Sequence, residues 1–71
     1  MEKNYEERKR MGMRIAEIRT MIGMTQEQLA EKTGLMQHHI SRIEQGRYSV
    51  GFDTLQAIAS AMGCKVDIIC N

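Results

Sequence analysis

The stretch between Gln26 and Glu44 constrains the fold more than any other part of this 71-residue chain. Two helices that cross steeply through a short turn need a small side chain at the crossing and a turn residue able to adopt positive φ. Ala30 and Gly34 meet those two needs. Around them Leu29, Leu35, Ile40 and Ile43 are spaced to fill the wedge between two such helices, and so to set the angle at which the outer face of the second one projects. Any short helical hairpin could carry one Ala or one Gly in a convenient place. Gln26, Leu29, Ala30, Gly34, Leu35, Ile40, Ile43 and Glu44 together, in register, specify a helix-turn-helix over residues 25–45.

The local signals agree with that reading. Thr25 followed by Gln28 is a capping-box pattern that starts a helix at Thr25 or Gln26 and runs it to Gly34. The next helix spans about Gln37 to Gln45, with Ile40 and Ile43 inward, Gln37, His38, His39, Ser41 and Arg42 on the rest of its surface, and Gly46 closing it. Before this pair, Met11, Ile15, Ile18 and Ile22 form one apolar stripe along a helix from roughly Tyr5 to Met21, ended by Gly23. After it, Phe52, Leu55, Ala59 and Met62 mark a helix from Phe52 to Met62, closed by Gly63. Residues 64–70 alternate apolar and charged side chains, the period of a strand. A lone strand leaves its edges unpaired and needs a partner.

Composition narrows the class further. A chain this short buries only about 60% of its unfolded surface, and with no Trp and a single Phe its core must come from Leu, Ile, Met and Ala. The expected class is all-α, one domain over residues 1–71 with its core at about 10–63 and a short C-terminal β-strand at about 64–70. No run of eighteen apolar residues crosses a membrane, and a charged N-terminus in place of a greasy leader predicts a cytoplasmic protein. Cys64 and Cys70 match neither a disulfide framework nor a zinc site, so reduced thiols are expected. The net charge of +1 does not by itself announce a nucleic-acid partner. Residues 35–43, however, hold Arg42, two His and no acid. His38 and His39 project about 100° apart on a helix with no Cys, Asp or Glu at ligand spacing, which argues against a metal. Nor do they form a triad with Ser41, so neither an enzyme nor a cofactor is expected.

The run from Met24 to Arg47, continued by Thr54–Gly63, resembles the phage Cro/repressor-type helix-turn-helix, also called the xenobiotic-response-element family. The resemblance covers roughly residues 10–63. It implies a lambda-repressor-like bundle of four to five helices that binds double-stranded DNA. Carried over by position, it implies base reading by Gln37, His38 and Arg42 from the recognition helix. It also implies backbone contacts from Thr25 and Gln26 at the start of the preceding helix, from His39 and Ser41, and from Arg47 and Tyr48 in the loop that follows. Arg19 and Glu44 fall where the family pairs a first-helix base with a third-helix acid, implying a structural ion pair. Three positions depart from the family pattern. Met36 replaces the usual Ser or Thr cap of the recognition helix, Val50 a common Pro, and Gly51 a common Ser.

The C-terminal strand completes the expectation. Pairing antiparallel with its own copy across a two-fold axis would satisfy its backbone and bury Val66 and Ile68. A homodimer of this kind places two recognition helices about one DNA turn, ~34 Å, apart on a pseudo-palindromic operator and acts as a transcriptional repressor. The alternative is an antitoxin-type interaction module that binds a toxin protein and also represses its own operon.

Overall fold

Twenty residues, Glu2–Met21, wind into one helix, α1, in the computed structural model, which describes residues 2–70. It begins three residues before the expected Tyr5. Exposed pairs at (i, i+3) line its polar face, Arg10 with Glu7 at 2.9 Å and Arg14 with Glu17, each adding a few tenths of a kcal/mol to a helix of this length. Past its end, the Met24 N–H reaches back to the Arg19 carbonyl at 2.9 Å and the Gly23 N–H to Thr20 at 3.0 Å, which satisfies two of the terminal carbonyls.

Helix α2, Gln26–Thr33, starts with both halves of the capping box. The Gln28 N–H donates to Thr25 Oγ1 at 3.0 Å and the Thr25 N–H to Gln28 Oε1 at 2.9 Å. At its other end Gly34 takes φ 77° and donates its N–H to the Ala30 carbonyl at 2.9 Å, turning the chain sharply into α3, Gln37–Glu44. Met36 is the N-cap of α3 and supplies no side-chain hydrogen bond. Helix α4, Phe52–Ala61, completes a four-helix order.

The core is one apolar cluster of Ile15, Leu29, Ala30, Ile40, Ile43, Ile58 and Met62. Leu29, Ile40 and Ile58, all but fully buried, sit at its centre, and each removes surface worth about 1.5–3 kcal/mol from water. On α4 the inward stripe is Leu55, Ile58, Ala59 and Met62, whereas Phe52, expected to share it, is 65% exposed. Phe52 is the first residue of its helix and overhangs the end of the cluster. Ile22, the last of the expected α1 stripe, lies beyond the helix end and is likewise exposed.

Two glycines let α1 sit against α3. A Cβ on Gly12 would collide with the carbonyl oxygens of Ile43 and Glu44, so the helices meet backbone to backbone at the last turn of α3. Gly46, just beyond, faces Lys9 in the same way, with the Lys9 Cα 2.7 Å from where its Cβ would be.

The expected C-terminal strand does not form. Among the described residues there is no strand, and residues 64–70 run on without ladder pairing. Val66 is half-buried, while Ile68 and Ile69 are 90% and 85% exposed. Alternating side chains set only a period, and a strand also needs a second backbone to accept its hydrogen bonds. None runs beside this segment, and the Ile68 N–H turns instead to the Asp67 carboxylate at 2.7 Å. Among the described residues no helix is long and apolar enough to cross a membrane.

Two substitutions separate these effects. Met36→Ser should stabilise the fold by about 1 kcal/mol, because it supplies the missing cap at an exposed position. Gly12→Ala, although Ala favours helix by about 1 kcal/mol, should destabilise by about 1–3 kcal/mol through overpacking. Urea titrations of the two variants beside the parent protein read both.

Candidate nucleic-acid interface

Successive residues of a helix step around its axis by about 100°, and in α3 that step sorts three surfaces. Ile40, Ile43 and Glu44 turn inward and are buried. Gln37, His38, Arg42 and the C-cap residue Gln45 are exposed, and half-buried Ser41 lies beside them, accepting a hydrogen bond from the Gln45 amide at 3.1 Å. His39 falls on the remaining flank. Its ring meets that of Tyr48 edge to face at 4.5 Å between centroids, and its Nε2 is buried without a hydrogen-bond partner. The structure therefore brings Gln37, His38, Ser41 and Arg42 to one face and sets His39 apart, under the loop.

Behind that face lies a polar network. The Arg19 Nε donates to Glu44 Oε2 at 2.7 Å and its Nη2 to Oε1 at 3.2 Å, a two-pronged pairing in which both side chains are largely buried. The third guanidinium nitrogen, Nη1, donates to the Met24 carbonyl at 2.8 Å. Gln26, first residue of α2, donates its amide to Glu44 Oε1 at 2.9 Å. One carboxylate thus ties the end of α3 to α1 and to the start of α2. It also fixes how the Gln26 amide is turned, with its carbonyl oxygen and second amide hydrogen left for other partners.

Beyond α3, the loop from Gly46 to Gly51 leaves Arg47 and Tyr48 exposed, with the Arg47 N–H held by the Arg42 carbonyl at 3.0 Å. A shallow groove of about 610 Å³ runs beside the exposed face, lined by Met13, Thr20, Met21, Gln26, Ser41 and Gln45 among others. Neither histidine lines it.

Gln45, Gly12 and Ile58 belong to this architecture and were not among the residues expected from sequence. Gln45 follows Ser41 by four and His38 by seven, a spacing that places it on their face. Gly12 inside a long helix costs about 1 kcal/mol relative to Ala, which is itself a sign of close backbone approach. Ile58, three after Leu55, had the right period but competed with Phe52 for the stripe.

This geometry belongs to a class, and similarity to known proteins says which. The chain belongs to the helix-turn-helix family of DNA-binding transcriptional regulators, whose family profile, described as helix-turn-helix, matches residues 15–69. It is similar to the immunity repressor protein of Bacillus phage phi105, 42% identical over 59 residues, a match that takes in 83% of this chain and 41% of that protein. It thus spans about two fifths of the phage repressor's length. It is also similar to an uncharacterized HTH-type transcriptional regulator of Methanothermobacter thermautotrophicus, 43% identical over 49 residues, covering 69% of this chain and 71% of that one. Among solved structures, the restriction-modification controller protein C.AhdI from Aeromonas hydrophila superposes with a TM-score of 0.82 at 30% identity, over 86% of this chain and 88% of that one.

Removing Arg19 alone should be costly, since it leaves a buried carboxylate with Gln26 as its only remaining side-chain donor. Arg19→Met is expected to lose about 3 kcal/mol or more, and the double variant Arg19→Met with Glu44→Met to lose less than the single one. Denaturant midpoints of both variants, compared at equal m-value, give the two numbers.

Proposed function

We propose that this protein represses transcription as a homodimer on a pseudo-palindromic operator, each copy laying α3 in a major groove. The observation that carries the reading is the exposed face of α3: Gln37, His38 and Arg42, with no acid among them, held from behind by the Arg19–Glu44–Gln26 network. Gln37 suits the paired donor and acceptor of adenine and Arg42 the two acceptors of guanine, each such pair discriminating by about 1–3 kcal/mol. His38 stands between them as a third reader. Thr25 and Gln26 at the N-terminus of α2 take a phosphate of one strand, and Arg47 and Tyr48 one on the far side of the groove. Ser41 supports from the edge of the face, and His39 backs Tyr48 before any contact of its own. Repression follows from occupying a promoter, without catalysis, in the cytoplasm.

The dimer is proposed to form through residues 64–70, two copies pairing antiparallel so that a strand absent from the single chain exists in the assembly. The support is the combination of a segment with unladdered backbone and two isoleucines almost wholly in water. Pairing would bury Ile68 and complete the cover of Val66.

Selection of bound sequences from a random DNA pool tests the reading directly. A single paired motif should be enriched, and Gln37→Ala and Arg42→Ala should each weaken binding to it about 5- to 150-fold while relaxing the preference at one base pair per half-site. Absence of any enriched sequence, or unchanged binding in both variants, would overturn the assignment of α3. For the dimer, a chain ending at Gly63 should sediment as a monomer and select single half-sites; if it stays dimeric, the strand pairing is wrong.

A further inference from the structure

In the reading above α1 serves only through Arg19, yet its first half passes over the far end of α3. Lys9 lies backbone to backbone on Gly46, where φ is 75° and there is no side chain to hold it off. One residue earlier, Arg8 donates Nε to the Gly46 carbonyl at 3.4 Å, with its guanidinium 5.8 Å from the centre of the Tyr5 ring. Its terminal nitrogens have no hydrogen-bond partner among the described residues. Arg47 follows Gly46 directly and is tied by its N–H to Arg42. Four cations from three elements, Arg8, Lys9, Arg42 and Arg47, therefore gather at one end of α3. The ion pairs among the described residues engage none of them, and Glu7 beside Arg8 is taken by Arg10.

We infer that Arg8 and Lys9 form a phosphate clamp, binding the DNA backbone on the side of the major groove opposite the N-terminus of α2. The inference rests on α3 being the groove helix and extends that reading to a binding site on α1. The groove is about 12 Å wide and walled by phosphates on both sides. A helix held in it meets one wall at the start of α2 and the other past its own C-terminal end, where these cations stand. Their roles differ by chemistry. Arg8 is half-buried and oriented by Gly46, so its fork is set before DNA arrives, whereas exposed Lys9 is a mobile point charge that follows the backbone. Phosphate contacts carry no base information, so the clamp adds affinity and register equally on every sequence.

The test is the salt dependence of binding, measured for the whole chain on its selected site and on unrelated duplex DNA. Lys9→Gln should weaken binding to both about fivefold at 0.15 M salt and make the slope of log K against log salt shallower by about 0.9. The sequence preference and melting temperature should not change. Lys9→Gln with Arg8→Gln should lose about twice that slope, while Arg10→Gln, paired outward with Glu7, should keep the parent slope. Parent slopes in both the single and double variants, on a protein that still selects its operator, overturn the clamp alone. A parent protein that selects no sequence overturns the α3 reading, and the slopes on unrelated DNA then still decide whether α1 touches phosphate.

Discussion

The carboxylate of Glu44 is the point at which the helices are tied to one another. It sits at the last residue of α3, nearly out of water, and accepts three hydrogen bonds from two side chains, Arg19 of α1 and Gln26 of α2. A buried charge is tolerable only when it is paired and its lone pairs are used, and here both conditions are met. Apolar packing by Leu29, Ile40 and Ile43 would hold α3 against α2 at roughly the right place, but packing of branched aliphatic side chains allows slippage and rotation. Directional bonds to one carboxylate do not. Rotation of α3 by a single residue step, about 100°, would carry Arg42 into the place of Ile43 and His39 into that of Ile40, so the network protects the identity of the outward face more than it adds to total stability. Buried ion pairs often contribute little net free energy, and orientation is what this one supplies.

The second constraint is backbone proximity. Gly12 and Gly46 bring α1 so near the end of α3 that carbonyl oxygens of Ile43 and Glu44 occupy the space of an absent Cβ. This seating brings Arg19 within reach of Glu44 further along α1, since a helix displaced outward by even a methyl group would lengthen bonds that are now 2.7 and 3.2 Å. Glycine in a helix interior sacrifices about 1 kcal/mol of local preference, and at Gly12 the tertiary contact offsets it.

How much of this was legible in the sequence follows from which interactions are local. The capping box at Thr25 and Gln28, the turn at Gly34 and the inward pair Ile40 and Ile43 each depend on residues within four positions of one another, and all stand where the pattern placed them. Phe52 and Ile58 show the limit: both satisfy a helical period on α4, and only the extent of the cluster beneath decides that Ile58 is buried and Phe52 is not. Periodicity likewise offered residues 64–70 as a strand, although pairing is a property of two segments and the chain supplies one. On α3, Gln37, His38 and Arg42 were readable as outward, whereas the withdrawal of His39 beneath Tyr48 depends on the path of the Gly46–Gly51 loop, which no short-range pattern encodes.

The division between holding and touching bears on how such a protein changes its target. Residues that set the angle of α3, Leu29, Ala30, Ile40, Ile43, Glu44, Arg19 and Gly12, are buried or nearly so, and most substitutions there disturb packing or leave a charge unpaired. Gln37, His38 and Arg42 are exposed, and on the reading proposed above their replacement alters the chemistry offered to a base edge at almost no cost to the fold. Gln26 occupies the boundary, half-buried and bonded inward by its amide to the Glu44 carboxylate. On that reading a new base preference is accessible through three exposed positions, whereas a new approach angle requires coordinated change at the Glu44 network and at the Gly12 contact together. In the proposed dimer the spacing between two copies of α3 would be independent of both, because the segment proposed to join the copies, residues 64–70, lies outside the bundle.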